Sequence, residues 1–199
     1  MVAFPTETVY GLGAIATDED AVDRLFRMKG RPKNRPLIVH LAQAEQVDRF
    51  AAEVPDYARK LTTLWPGPIT IVLNRRPEVL DAVTGGGPTV ALRVPDHDIA
   101  LKMLQQTLEL GGPMAGVAAP SANRFGEEPP TTVQGVIDGL GRPTVDEEGS
   151  PDMILDGGQC KGGVPSTIVS CVGEWPRILR YGGLERAAIE DCIGRFVDQ

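Results

Sequence analysis

The sequence has few of the residues from which metal and redox centres are built. Its three cysteines, Cys160, Cys171 and Cys192, are widely spaced and include no CxxC pair. They read as reduced, partly buried thiols, which favours the cytosol. The two histidines, His40 and His97, stand alone and nominate no zinc site; each reads as a surface or strand-end residue. No apolar run is long enough to cross a bilayer, and the start lacks the basic flank and apolar stretch of a signal peptide, so the chain reads as soluble with no membrane partner. There is no GxSxG elbow, which argues against a Ser-His-Asp hydrolase. Lys161 is followed by Gly162 rather than Ser or Thr, so the glycine-rich stretch around it is not a Walker loop. Positive charge is also scarce, with 20 Lys and Arg against 27 Asp and Glu. A net charge of -7 disfavours a surface that grips nucleic acid everywhere, but it permits one basic cleft in an acidic shell.

What the chain does have is an ordinary globular composition, 42% hydrophobic and 24% charged over 199 residues, enough for one substantial core. Strand patterns at 2–4, 36–41, 69–73, 89–94 and 115–119 alternate with helical patterns, and closely spaced strands follow from 153 to 180. The expectation is an α/β domain with a twisted mixed sheet flanked by helices. Thr17 and Asp20 have capping-box spacing ahead of a helix ending by Gly30. Helices are also expected over 43–52 and 56–64, from Asp96 or His97 to the Gly111-Gly112 stop, after Thr131-Thr132, and over 184–196. Trp65 reads as a core anchor and Glu147-Glu148 as a solvated face.

The chemistry concentrates in separate stretches. Phe4-Pro5-Thr6-Glu7-Thr8-Val9-Tyr10-Gly11-Leu12-Gly13 is too polar for a core strand and reads as a strand end opening into a substrate-lining turn. Lys29 and Arg31 flank Gly30 at a helix end, where two cations can reach a shared space; neither contributes an obvious core side chain, and favourable interaction with the helix carboxyl end would explain them structurally. Arg93 interrupts a run of branched residues and is either ion-paired or at a pocket rim. Ser121 and Asn123 follow a small-residue strand and would share a side if that strand continued. Neutral hydroxyls, an amide and separated cations suit nucleotide transfer, in which phosphate alignment and charge neutralisation do the work.

These stretches, together with Pro36-Leu37, Trp65-Pro66-Gly67-Pro68, Arg93-Val94-Pro95, Ser166-Thr167-Ile168-Val169 and Arg180, resemble the YrdC family in content and order. The resemblance implies a single YrdC-like domain over 1–199, without the leader segment or extra C-terminal domain found in other members. It implies synthesis of L-threonylcarbamoyladenylate and diphosphate from L-threonine, bicarbonate or CO2, and ATP, for modification of tRNA adenosine 37. Under it, Lys29 and Arg31 would neutralise the phosphates, Ser121, Asn123, Ser166 and Arg180 would hold the nucleotide, and Thr6, Thr8, Tyr10 and Arg93 would line the threonine side. Mg2+ would accompany ATP without a dedicated protein cage, and the product would pass to a tRNA threonylcarbamoyl transferase, with at most weak contact to tRNA. The alternative is a noncatalytic RNA-binding protein or a partner of the tRNA-modifying machinery. Against the family pattern, Pro120, Phe125 and Tyr181 are departures on the adenosine side.

Overall fold

The structure, a computed structural model, describes residues 1–144 and 149–194; the Glu147-Glu148 pair and Phe196 lie outside the described residues. Its strands are β1 (Val2–Phe4), β2 (Gly11–Ile15), β3 (Ile38–His40), β4 (Ile69–Asn74), β5 (Thr89–Arg93), β6 (Val117–Ala118), β7 (Met153–Ile154), β8 (Thr167–Ser170) and β9 (Arg177–Arg180). Among the described residues they form one nine-stranded sheet in the order β7-β1-β2-β6-β3-β5-β4-β8-β9. The β1/β7, β3/β5 and β4/β8 pairs are parallel and the rest antiparallel, which makes the mixed sheet the sequence pattern implies.

The pattern misses β2, the second arm of a hairpin with β1. Glycine disfavours a strand on propensity, yet Gly13 is required by close approach. A Cβ there would lie 2.6 Å from Val117 Cγ1 and 3.0 Å from Phe4 Cε1. Helix α1 (Glu19–Lys29) is capped by Asp18, whose carboxylate accepts from the Ala21 backbone N–H at 3.0 Å, so the expected cap at Thr17 is displaced by one residue. It stops at Gly30, whose φ of 61° lies in the left-handed region that glycine enters without penalty.

The helix expected over 43–52 breaks into a 3₁₀ turn, Ala44–Gln46, and the single turn α2 (Val47–Phe50). Buried Gln46 turns its side chain back to the Ala42 N–H and across to the Ala115 carbonyl, both at 2.8 Å. The next helix divides similarly into α3 (Asp56–Leu61) and the 3₁₀ turn Thr62–Leu64, ahead of Trp65, which is buried with its indole N–H on the Ile69 carbonyl at 2.9 Å. A short α4 (Asp81–Thr84) precedes β5. His97 caps α5 (Asp98–Gly111) through Nδ1, Thr132 caps α6 (Val133–Leu140), and α7 (Arg186–Ile193) follows β9.

Side chains alternate across the strands, and this alternation positions the site. Val39, Val90, Leu92, Ile69, Ile71, Leu73 and Val169 are buried in the main core. Their neighbours Ile38, His40, Thr89, Ala91, Arg93, Val72 and Ile168 turn the other way and line a cavity. The strand run 89–94 is thus two-sided, with one face in the core and the other, carrying Arg93, forming a polar floor.

Candidate active site

The cavity has a volume of about 420 Å3, and the β1–β2 turn, the loop after β6, the loop before β8 and the end of β9 wall it in. Among the described residues its lining includes the guanidinium-bearing Arg31, Arg93 and Arg180 and contains neither aspartate nor glutamate. A protein of net charge -7 therefore gathers positive charge at one concave place.

The β1–β2 turn is ordered by its own hydroxyls. Thr6 Oγ1 accepts from the N–H groups of Thr8 and Val9 at 3.1 and 3.2 Å and donates to the Val9 carbonyl at 2.7 Å. Its single proton is thereby used, so in the 2.8 Å contact between the two hydroxyls Thr8 is the donor. Thr8 Oγ1 in turn accepts from Arg93 Nη2 at 3.1 Å. The same Nη2 lies 2.8 Å from Glu7 Oε1, an ion pair of nearly buried groups whose side chains are 5% and 16% exposed. The pairing is one of charge rather than of an aligned hydrogen bond, because neither Glu7 oxygen has a partner of hydrogen-bond geometry, and Arg93 Nε also lacks one. Of the two placements the sequence leaves open for Arg93, the ion pair is present, and the residue sits on the cavity floor rather than at its rim.

Opposite Arg93 in register on β3 stands His40, which ends its strand but is buried in the same floor rather than placed at the surface. Burial, reinforced by the Arg93 charge, pushes its pKa down to about 3, so the imidazole is neutral at physiological pH. Its Nδ1 has no hydrogen-bond partner, and its ring meets Phe4 edge-on at 5.7 Å. The available signal was positional, since ligands of α/β sheets gather at strand ends and His40 ends a strand beside the one that Arg93 ends.

The nucleotide candidates divide. Ser121 lines the cavity, bridged to Gly11. Asn123 does not share that side: it is buried, and its amide donates to the carbonyls of Arg124 and Glu127 at 2.7 and 2.8 Å. The chain leaves strand conformation after Ala118, so the alternation that would have paired the two is lost. Ser166 lines the wall, with its hydroxyl 2.8 Å from that of buried Thr70, and the Arg180 fork donates to its carbonyl through Nε at 3.2 Å and Nη2 at 2.9 Å. Arg31 lines the mouth, donates to the Pro36 carbonyl at 3.0 Å and lies 5.9 Å from the Phe125 ring centroid.

Lys29 and Tyr10 lie behind the walls. Lys29 is 2% exposed, contrary to its reading as a residue outside the core. Its ammonium donates to the carbonyls of Ser121, at 2.5 Å, and Asn123. Tyr10 is fully buried; its hydroxyl donates to the Gly158 carbonyl at 2.8 Å and accepts from the Gly157 N–H at 3.2 Å, pinning the glycine-rich loop beneath the turn. No group of His, Cys, Asp and Glu that could hold a metal ion occurs among the described residues, and no described helix is long and apolar enough to cross a membrane.

Known proteins share this fold. The Sua5/YciO/YrdC family model, described as telomere recombination, matches residues 1–182. The threonylcarbamoyl-AMP synthase of Pyrococcus abyssi is 45% identical over 198 residues, covering 98% of this chain and 54% of its own. A putative threonylcarbamoyl-AMP synthase of Mycobacterium tuberculosis is 33% identical over 195 residues, covering 98% of this chain and 83% of its own. The crystal structure of P. abyssi Sua5 complexed with L-threonine superimposes with a TM-score of 0.87 at 44% identity, over 100% of this chain and 55% of that one. The chain thus spans about half the length of the Pyrococcus protein and aligns with that half almost end to end. On the match over residues 1–182, the chain belongs to the Sua5/YciO/YrdC family.

Proposed function

We propose that the cavity makes threonylcarbamoyl-AMP: L-threonine and CO2 or bicarbonate yield a carbamate, whose oxygen attacks the α-phosphorus of ATP while diphosphate leaves. The observation that carries this reading is a concave site with three guanidinium groups and no carboxylate in its lining, in a chain whose relatives bear that enzyme's name. Carbamate formation joins the threonine amine nitrogen to the carbon of CO2 and releases one proton. Adenylation forms a carbamate oxygen to phosphorus bond and breaks the bond to the diphosphate. Every reacting species except the amine is anionic or becomes so, and fixed cations in a site of low dielectric stabilise that charge most as it develops.

In this reading Arg31 and Arg180, which both line the cavity, take the phosphates, and Ser121 and Ser166 present hydroxyls to the nucleotide. Arg93, its Nε unpaired, faces the carboxylate or carbamate of the amino acid beside Thr6 and Thr8. His40, neutral, can accept a hydrogen bond from the amine or hydroxyl. Mg2+ arrives as part of the substrate, on phosphate oxygens and water, which suits a lining without carboxylates. The product is a mixed anhydride consumed by a transferase that carries the threonylcarbamoyl group to tRNA, and the setting is the cytoplasm. The test is diphosphate release with ATP and bicarbonate, with and without L-threonine, followed by mass analysis of the adenylate. Threonine-dependent release with an adenylate of matching mass is expected. Threonine-independent release, or equal turnover with leucine, overturns the assignment.

A further inference from the structure

The buried lysine at the end of α1 does not meet the cavity that its sequence neighbour Arg31 lines. It is nonetheless tied to that cavity's wall from behind. Its ammonium donates to the Ser121 and Asn123 carbonyls. Its own carbonyl, which the end of the helix leaves without an intrahelical partner, accepts from the Phe125 N–H at 2.8 Å. One residue earlier, the Met28 carbonyl accepts from Arg124 Nη1 at 3.3 Å. The end of α1 and residues 121–125 are therefore joined by contacts in both directions. The other side of the turn is held by the Ala122 N–H on the Tyr10 carbonyl at 2.8 Å. Since the C=O and N–H of one trans peptide group point in opposite directions, the Lys29 ammonium and the Tyr10 carbonyl hold the Ser121-Ala122 peptide from its two edges.

We infer that Lys29 is a positioning residue: it reaches the nucleotide only through the Ser121–Asn123 turn, whose carbonyls it draws away from the cavity, while Arg31 is the cation of the pair that meets phosphate. The inference rests on the proposed nucleotide site for its consequence but on the contacts above for its geometry. A phosphate ligand and a turn clamp predict different dependence on phosphate number. Removing a ligand weakens ATP more than ADP, ADP more than AMP, and leaves adenosine nearly untouched. Removing a clamp that shapes the wall should weaken all four by a common factor.

The experiment measures calorimetric binding of ATP, ADP, AMP and adenosine to wild type, Lys29→Met and Arg31→Ala, with amide hydrogen exchange of each protein in the absence of nucleotide. For Lys29→Met the expected result is a uniform loss of roughly tenfold across the series, the scale of one charge-assisted hydrogen bond, and faster exchange at residues 122–125. For Arg31→Ala the loss should grow with each phosphate and exchange in the turn should stay as in wild type. A Lys29→Met loss graded like that of Arg31→Ala, or unchanged exchange in the turn, overturns the inference. Should Lys29→Met not fold, wild type decides: nitrogen NMR of the Lys29 ammonium stays the same on adding ATP if the group faces the turn, and shifts if it faces phosphate. Wild type that binds none of the four ligands removes the functional reading instead, and the exchange comparison still decides whether Lys29 holds the turn.

Discussion

The site has an inner and an outer set of cations, and they are built on opposite principles. Arg93 and Lys29 are buried, at 4% and 2% exposure, and each is surrounded by protein acceptors before any ligand arrives. Arg31 is half-buried at the mouth, and Arg180 is exposed on β9, the last strand of the sheet. A buried charge must be compensated by the fold, so the inner pair couples to stability; an exposed charge is solvated by water and screened by salt, so the outer pair couples mainly to ligand. The same residue type therefore carries different consequences on the two walls, and substitutions can test the division.

The largest effect is expected at Arg93. Replacing it with methionine leaves the largely buried Glu7 carboxylate without its ion-pair partner, at a cost of about 3–5 kcal/mol. Thr8 also loses the donor that fixes its hydroxyl. Urea denaturation of Arg93→Met should show that loss, and the double variant Glu7→Gln with Arg93→Met should recover most of the stability while diphosphate release stays abolished. Recovery of both would make the pair purely structural. A single variant as stable as wild type would dissolve the inner class.

Lys29 sharpens the comparison because, unlike arginine, it can give up its proton. Burial foremost, and the neighbouring Arg31 charge next, lower its pKa from 10.5 to about 7 in the folded chain. Below pH 7 both folded and unfolded chains hold the proton, and the full cost of burying an ammonium is present. Between pH 7 and 10.5 the unfolded chain holds a proton that the folded chain has released, so stability rises with pH across that window. The difference in unfolding free energy between wild type and Lys29→Met should therefore move in favour of wild type as pH rises, by up to about 1.4 kcal/mol per unit. Parallel pH profiles for the two proteins would mean that the ammonium is not desolvated.

The split between the two sets marks where sequence reading succeeds and where it stops. Thr6, Thr8, Arg31, Arg93, Ser121, Ser166 and Arg180 converge on one cavity because each sits at a strand end or turn, places that composition and punctuation reveal. Which polar residues face outward and which brace the wall is decided by long-range contacts. Lys29 meets Ser121 from 92 residues away, and the Tyr10 hydroxyl meets Gly158 from 148 away; no local pattern encodes either. The hairpin arm β2 was hidden for a related reason, since its glycines weaken strand propensity for the sake of packing against Val117 and Phe4. His40 stands alone in the sequence, and only the β3–β5 register sets it opposite Arg93.

The smallest effect on the fold is expected at Arg180. Its fork donates to the Ser166 carbonyl and, at 3.3 Å, to the hydroxyl of buried Ser166, but it does so from an exposed strand at the sheet's end, and with the fork removed, water in the cavity that Ser166 lines can take over both acceptors. Ser166 keeps its hydroxyl contact with Thr70 without it. Arg180→Ala should therefore melt within about 0.5 kcal/mol of wild type. It should still bind ATP roughly tenfold more weakly at low salt, as the loss of one directed charge-assisted contact to phosphate implies. Arg180→Lys should regain part of that loss, because it restores the charge and not the fork. Salt separates this wall from the inner one: raising ionic strength should narrow the gap between Arg180→Ala and wild type, since an exposed charge is screened within about 8–10 Å under ordinary conditions. The stability deficit of Arg93→Met should persist at the same salt, because the Glu7 carboxylate it leaves unpaired is shielded from solvent. A salt-independent deficit for Arg180→Ala, or a stability loss of several kcal/mol, would place Arg180 with the buried cations and erase the distinction between the two walls.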